Sequence, residues 1–361
     1  MWDLAVREED YEDVDAMLAR FIGRPPLSLR LVPAVAQSDS ATVRELLAEG
    51  RTLESRQLQI AARYLASYLG NFSMADSLAR LDLAWRERPA NRAGAQLLLG
   101  GLAAAGGRWS AAKEALRTAE TMESAGPVLV HRAIAATLPR QPVSVEDLRA
   151  IRAEVERWEP PALPAAAGLA AALQPHLRLY LLGLLSSRLG EPGAAEVAAV
   201  GIARVPTPSA AAVVPGQLAA TIRADVAWMQ GRPRDVLAVL EGVDQSIPLE
   251  LIAVSRAAHL REFGMEHARY LRATALIALG REVEGLSWLR FGLRGAPQEY
   301  LYHVPIHLGL GEVFERLGQP DSAGAYFERG LAAWEHADPA AAPLLEDLRS
   351  RIARVRGAVH P

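Results

Sequence analysis

The chain has no cysteine and a single lysine, Lys113, among 361 residues. The first absence removes disulfides, thiolate metal sites and cysteine nucleophiles together. The second leaves arginine as 38 of the 39 basic residues, a bias that runs with abundant Ala, Gly and Pro and reads as base composition rather than a set of anion-binding forks. Aromatic residues make up only 6% while half the chain is apolar, so the core is built of Ala, Leu and Val. Such a core suits closely packed helices better than a β-sandwich, which uses more β-branched and aromatic side chains. Charge of one sign is also scarce, the formal balance being −3, which disfavours non-specific nucleic-acid binding.

Long hydrophobic runs are missing as well. The charge-free stretches 160–175 and 205–222 are broken by Pro160, Pro161, Pro164 and Pro175, and by Pro206, Pro208 and Pro215, which argues against a membrane span. Met1 leads almost at once into the acidic run Glu8, Glu9, Asp10, Glu12, Asp13, Asp15, a solvated helix face with none of the marks of a signal peptide. The expected location is cytoplasmic, or extracytoplasmic if the chain is fused behind a membrane span.

What the chain has is a phrase that returns. Its clearest copy runs Leu310, Gly311, Phe314, Gly318, Ala323, Phe327, Leu331. A small residue seven before a glycine and another five after it recur around Gly280 (Ala273, Gly285), Gly231 (Ala224, Val236), Gly190 (Gly183, Ala195) and Gly107 (Gly100, Ala112), with a weaker copy at Gly70 (Arg63, Ala75). Antiparallel helices approach closely only through small side chains, and glycine supplies the positive φ of the turn between them. Each copy therefore predicts a helix–turn–helix pair, with large apolar residues such as Phe314 and Phe327 filling the space between pairs.

The turn glycines lie 37, 83, 41, 49 and 38 residues apart from Gly70 onward, so the 83-residue interval predicts a degenerate pair over 128–138 and 144–157, its second helix capped by Ser144. Upstream of residue 55, helices are expected near 8–22, 26–36 and 40–50, the third capped by Ser40. Residues 159–175, dense in Pro and Ala, are the expected break, dividing N-terminal repeats (1–158) from C-terminal repeats with a terminal capping helix (176–361).

These residues resemble the tetratricopeptide repeat pattern, in which a Leu-Gly pair, an aromatic three later, a small residue, a second aromatic and a closing proline recur every 34 residues or so. The match is best over 304–339 and extends over most of the chain. The resemblance implies an all-α, right-handed superhelical solenoid of about seven to eight antiparallel helix pairs. Glu312, Phe314, Leu317, Gly318, Ala323, Tyr326, Leu331, Trp334, Ala337, Asp338 and Pro339, followed by Leu344, Leu345 and Arg349 to Val355, are similar to the C-terminal end of arrays attached to bacterial serine/threonine kinases and transcriptional regulators. No Gly-rich loop, His-Arg-Asp loop or Asp-Phe-Gly of a kinase is present.

In that family the first helix of each repeat lines a concave, partner-binding face. Counted from the turn glycines, the resemblance assigns this face to Tyr64, Tyr68, Tyr180, Arg188, Asp225, Trp228, His267, Tyr270, Glu312, Glu315 and Arg316. Tyr and Trp offer large contact area with a polar handle, although packing between repeats would use the same side chains. A clamp for a terminal carboxylate is not expected, because such clamps use Lys and Asn, and Lys113, Asn71 and Asn91 fall outside these positions.

No motif supports catalysis: there is no Gly-x-Ser-x-Gly elbow and no phosphate loop. His303 and His307, four apart on one helix face, lack a third metal ligand and read as packing histidines; His259, Glu262 and His267 do not have metalloprotease spacing. Neither cofactor nor metal is expected. The expected function is a non-catalytic scaffold for a protein or peptide segment, the regulatory or sensory part of a bacterial signalling protein. The alternatives are a structural or self-assembling subunit, and a small-ligand sensor with a pocket between irregular repeats near 126–175.

Overall fold

A glycine past the end of a helix admits the left-handed backbone that stops the helix and reverses the chain. In the computed structural model, which describes residues 11–122, 125–160, 169, 172–243, 265–293 and 299–359, Gly70, Gly107, Gly190, Gly231, Gly280 and Gly318 all do this, with φ between 62° and 76°. After five of them the next residue donates its N–H to the carbonyl five back, from Arg108 to Ala103, Glu191 to Ser186, Arg232 to Ala227, Arg281 to Leu276 and Gln319 to Phe314, at 2.8–2.9 Å. This is the hydrogen bond of a Schellman ending, and it satisfies carbonyls that the helix leaves over. Second helices then open on Pro192, Pro233 and Pro320, where a missing N–H costs nothing and φ is already helical.

The described residues form eighteen α-helices, 79% of the structure, and no strand, so the chain is all-α. A single helix α1 (Tyr11–Ala19) precedes eight pairs: α2 (Leu27–Ala36) with α3 (Ser40–Gly50), α4 (Ser55–Leu69) with α5 (Phe72–Trp85), α6 (Pro89–Ala105) with α7 (Trp109–Glu120), α8 (Ala125–Thr137) with α9 (Val145–Arg157), α10 (Gln174–Arg188) with α11 (Pro192–Ile202), α12 (Val214–Met229) with α13 (Pro233–Glu241), α14 (Glu266–Ala278) with α15 (Glu282–Leu293), and α16 (His303–Arg316) with α17 (Pro320–Ala333). A last helix, α18 (Ala342–Val359), follows. The degenerate pair expected between Gly107 and Gly190 is α8/α9, and Ser144 accepts the Asp147 N–H at 3.0 Å as its cap.

Two turns lack glycine yet keep the geometry. Ser38 (φ 59°) turns α2 into α3, with Asp39 N–H bonded to the Ala34 carbonyl at 2.9 Å, and Arg140 (φ 64°) lies between α8 and α9. The cap of α3 is Asp39, not Ser40: its carboxylate accepts from the N–H groups of Ala41 (3.2 Å) and Thr42 (3.1 Å), leaving Ser40 as the first helical residue. A carboxylate at a helix N-terminus also meets the positive end of the dipole, which explains the choice. The helix expected over 8–22 ends at Ala19, and its first residues, like most of 159–175, lie outside the described part.

The small positions work as their spacing implies. Gly100 leaves room for Leu116 of the partner helix, Gly311 for the ring of Phe327, and Gly183 for Ile222 of the next pair. Ala75, Ala112, Ala195, Ala224, Ala273 and Ala323 are buried.

The helices gather into two compact units that cut across the expected order of domains: residues 1–124 together with 293–361, and residues 125–292. In the second, α10, α12 and α14 pack first helix on first helix, with α11 against α12 and α13 against α14. One apolar cluster there extends from Leu129 to Ile222 and another from Ala224 to Leu276. In the first unit, α4 packs on α2 and α5, and α6 on α5 and α7, while a short 3₁₀ turn, Glu299–Tyr302, lies against α4, α6 and α16.

This first unit joins residues more than two hundred apart. Trp334, at the end of α17, is fully buried; its indole N–H donates to the Ala105 carbonyl (2.8 Å), and its ring meets Trp109 edge-on at 5.8 Å. Asp338 N–H donates to Gly107 O (2.9 Å), and its carboxylate accepts from Ser110 N–H (2.7 Å). Helix α7 has no side-chain cap from its own N-cap residue, Arg108, so Asp338 does that work from the far end of the chain.

Candidate functional site

Three of the residues assigned to the concave face meet at one point. Asp225, fully buried on α12, accepts a hydrogen bond from His267 Nε2 of α14 at 2.8 Å, and the Arg188 guanidinium of α10 lies 3.4 Å from the same oxygen. Arg188 also donates to the Thr137 carbonyl at the end of α8 (2.9 Å) and reaches Met229 Sδ (3.6 Å). Their sequence positions are the thirteenth, ninth and second of three successive first helices, which brings them to one surface although 79 residues separate the outer two. Burial pushes the Asp225 carboxyl up, but the Arg188 charge and the His267 hydrogen bond outweigh it and hold it below the ordinary carboxylate value. The network links three pairs and compensates its own charges, so its chemistry is positioning.

The aromatic residues divide. Tyr180 and Tyr270 are buried, Tyr180 within the Leu129–Ile222 cluster, so their rings pack between repeats. Trp228 is half-buried and rests on the Ala224–Leu276 cluster. Tyr64 and Tyr68, one turn apart on α4, are both half-buried and meet edge-on at 5.2 Å. These three half-buried rings keep area for a contact.

On α16, Arg316 is exposed and its Nε points to the Glu312 carbonyl at 3.4 Å. Glu315 is held by Arg351 and Arg354 of α18, each at 3.1 Å, so the last helix engages part of the assigned surface. His303 and His307 are packing residues: both are buried, their rings 4.1 Å apart, with His307 Nδ1 bonded to the His303 carbonyl (2.8 Å). Among the described residues no three His, Asp or Glu side chains converge as metal ligands. His259 and Glu262 lie outside that part.

Sequence reasoning passed over a second buried carboxylate. Asp82 on α5 is fully buried and takes bonds from Ser55 (2.5 Å), Gln59 (3.2 Å) and Arg86 (2.8 Å). An acidic residue on the same face as Leu78 and Ala79 was the available signal. Trp334 and Asp338 figured only in the family resemblance, and their partners near Gly107 have no mark in the local sequence.

Two open clefts occur in the second unit. One, about 530 Å³, lies over Val226, Ala227 and Val239, with the ion pairs Arg223–Glu196 and Arg232–Asp235 among its lining residues. The other, about 590 Å³, lies beside Trp158 and Arg178. Arg178 spends its donors on the Val155 and Glu156 carbonyls at the end of α9. No helix of the described residues is long and apolar enough to cross a membrane. Comparison with protein-family models and with curated proteins returned no match to this chain.

Proposed function

We propose that this chain is a non-catalytic scaffold whose helix pairs are of tetratricopeptide type and wind into a right-handed superhelical solenoid. Its role is to hold a protein or peptide segment as the regulatory or sensory part of a bacterial signalling protein. The observation that carries this reading is the recurrence of one ending, a left-handed residue, in all eight helix pairs. A single pair cannot bury its apolar face alone, so repeated pairs form extended surfaces suited to recognition rather than a pocket suited to chemistry. The half-buried Tyr64, Tyr68 and Trp228 support a peptide-binding use of the first-helix face, since such rings supply contact area at low entropic cost. Among the described residues no nucleophile, base and orienting group are brought together.

Affinity capture from a lysate of the source organism, run beside a Tyr68→Ala, Trp228→Ala variant of equal helicity, tests the proposal. A captured protein that the variant loses supports it. Self-association with no other captured protein points instead to a structural, self-assembling subunit.

A further inference from the structure

We propose that His303 and His307 make the seam between the two ends of the chain acid-labile, so that mild acidification releases the C-terminal helices α16–α18 from the N-terminal pairs. The seam belongs to one compact unit, residues 1–124 with 293–361. His303 opens α16 and sits on the α4–α5 turn. Its ring meets Phe72 edge-on at 5.6 Å, and it lies so close over Gly70 that a Cβ there would fall 2.6 Å from Nε2. The His307 ring lies tilted against it, centroids 4.1 Å apart, and meets Tyr326 of α17 at 5.8 Å.

A charge cannot be accommodated there. Both imidazoles are buried, and His303 Nδ1 has no hydrogen-bond partner. Among the described residues, the groups that act on the pair are the Ser67 backbone of α4, the His303 carbonyl, the other imidazole and Arg329 of α17. The only full charge among them, Arg329, has the same sign as a protonated imidazole. Burial therefore holds His303 well below its ordinary value of 6.5 and His307 at about 4.

The sign follows. The neutral forms belong to the closed seam, while an open or unfolded chain takes up protons at about pH 6.5. Stability from the pair is complete above 6.5 and falls as pH drops from there toward 4, the open state binding up to two more protons than the closed one. Each excluded proton shifts the equilibrium about tenfold per pH unit, so the pair shifts it about a hundredfold. His176, buried in the other unit and also lowered, titrates apart from the seam.

Hydrogen exchange of the full chain, expressed as protection factors at pH 7.5, 6.0 and 5.0, reads this directly. Amides of α4, α5, α7 and α16 are expected to lose protection by about a hundredfold per unit below pH 6, and a His303→Gln, His307→Gln variant is expected to lose the pH dependence. Unchanged protection in the wild type, or an equal loss in the variant, would overturn the proposal. Should the variant not fold, carbon-detected titration of the wild-type imidazoles decides: protonation of both rings together, below pH 6.5 and coincident with the loss of protection, upholds it, and titration of both near 6.5 with protection intact refutes it.

Discussion

Asp225 illustrates how a residue counted onto a first-helix surface can be enclosed by its neighbours. Counting from the turn glycine puts Arg188, Asp225 and His267 on first-helix surfaces, and they do share one. What the count omits is whether the neighbouring repeat fills the space, because that depends on the side chains of the next helix. Here Arg188 and His267 converge on Asp225 and remove it from solvent. Cutting a buried pair on one side leaves an uncompensated charge, so Asp225→Ala should cost about 3–5 kcal/mol, read by urea unfolding. Because its carboxyl is lowered from the ordinary 3.8, the stability it contributes is complete above about pH 4 and lost only as pH falls through the folded value. A neutral-pH stability unaffected by Asp225→Ala would show that the network carries no weight.

At the level of elements, local chemistry was legible wherever one residue decides the backbone. The six turn glycines and the Ser144 cap lie where their spacing put them. Ser38 and Arg140 were not legible as turns, since nothing in either side chain announces a positive φ. Asp39 displaced Ser40 as a cap by a single position, a difference within reach of either side chain until the preceding turn is fixed.

Three substitutions exploit this. At Gly318 nothing lies within 4 Å of an added Cβ, so Gly318→Ala meets only backbone strain, about 1–2 kcal/mol. At Gly107 the same change would also press on Ala337 and Trp334, and should cost measurably more. The reverse change, Ser38→Gly, should stabilise by about 0.5 kcal/mol, relief of left-handed strain exceeding the added chain entropy. A thermal melt of each variant checks all three, and equal costs at Gly107 and Gly318 would argue against the seam beside Gly107.

On the scale of the whole molecule, the division into units was illegible because it rests on contacts between residues 105–110 and 334–338. Periodicity reports what each helix does with its sequence neighbours, and a contact across more than 220 residues leaves no period. Removing the Trp334 ring by Trp334→Ala should cost about 3–5 kcal/mol, and Asp338→Ala about 1 kcal/mol through loss of the α7 cap. Both losses should appear in the unit that contains the chain ends, as faster hydrogen exchange in α6 and α7.

A run of helix pairs with one shared ending is proposed to present first-helix side chains to a partner. The most direct test is calorimetric titration of the captured partner segment into the wild-type chain and into a Tyr64→Ala, Tyr68→Ala variant with matching circular dichroism. If first-helix side chains recognise the partner, the variant binds with at least a tenfold weaker Kd, about 1.4 kcal/mol or more. An unchanged Kd would contradict it and place recognition away from the first-helix face.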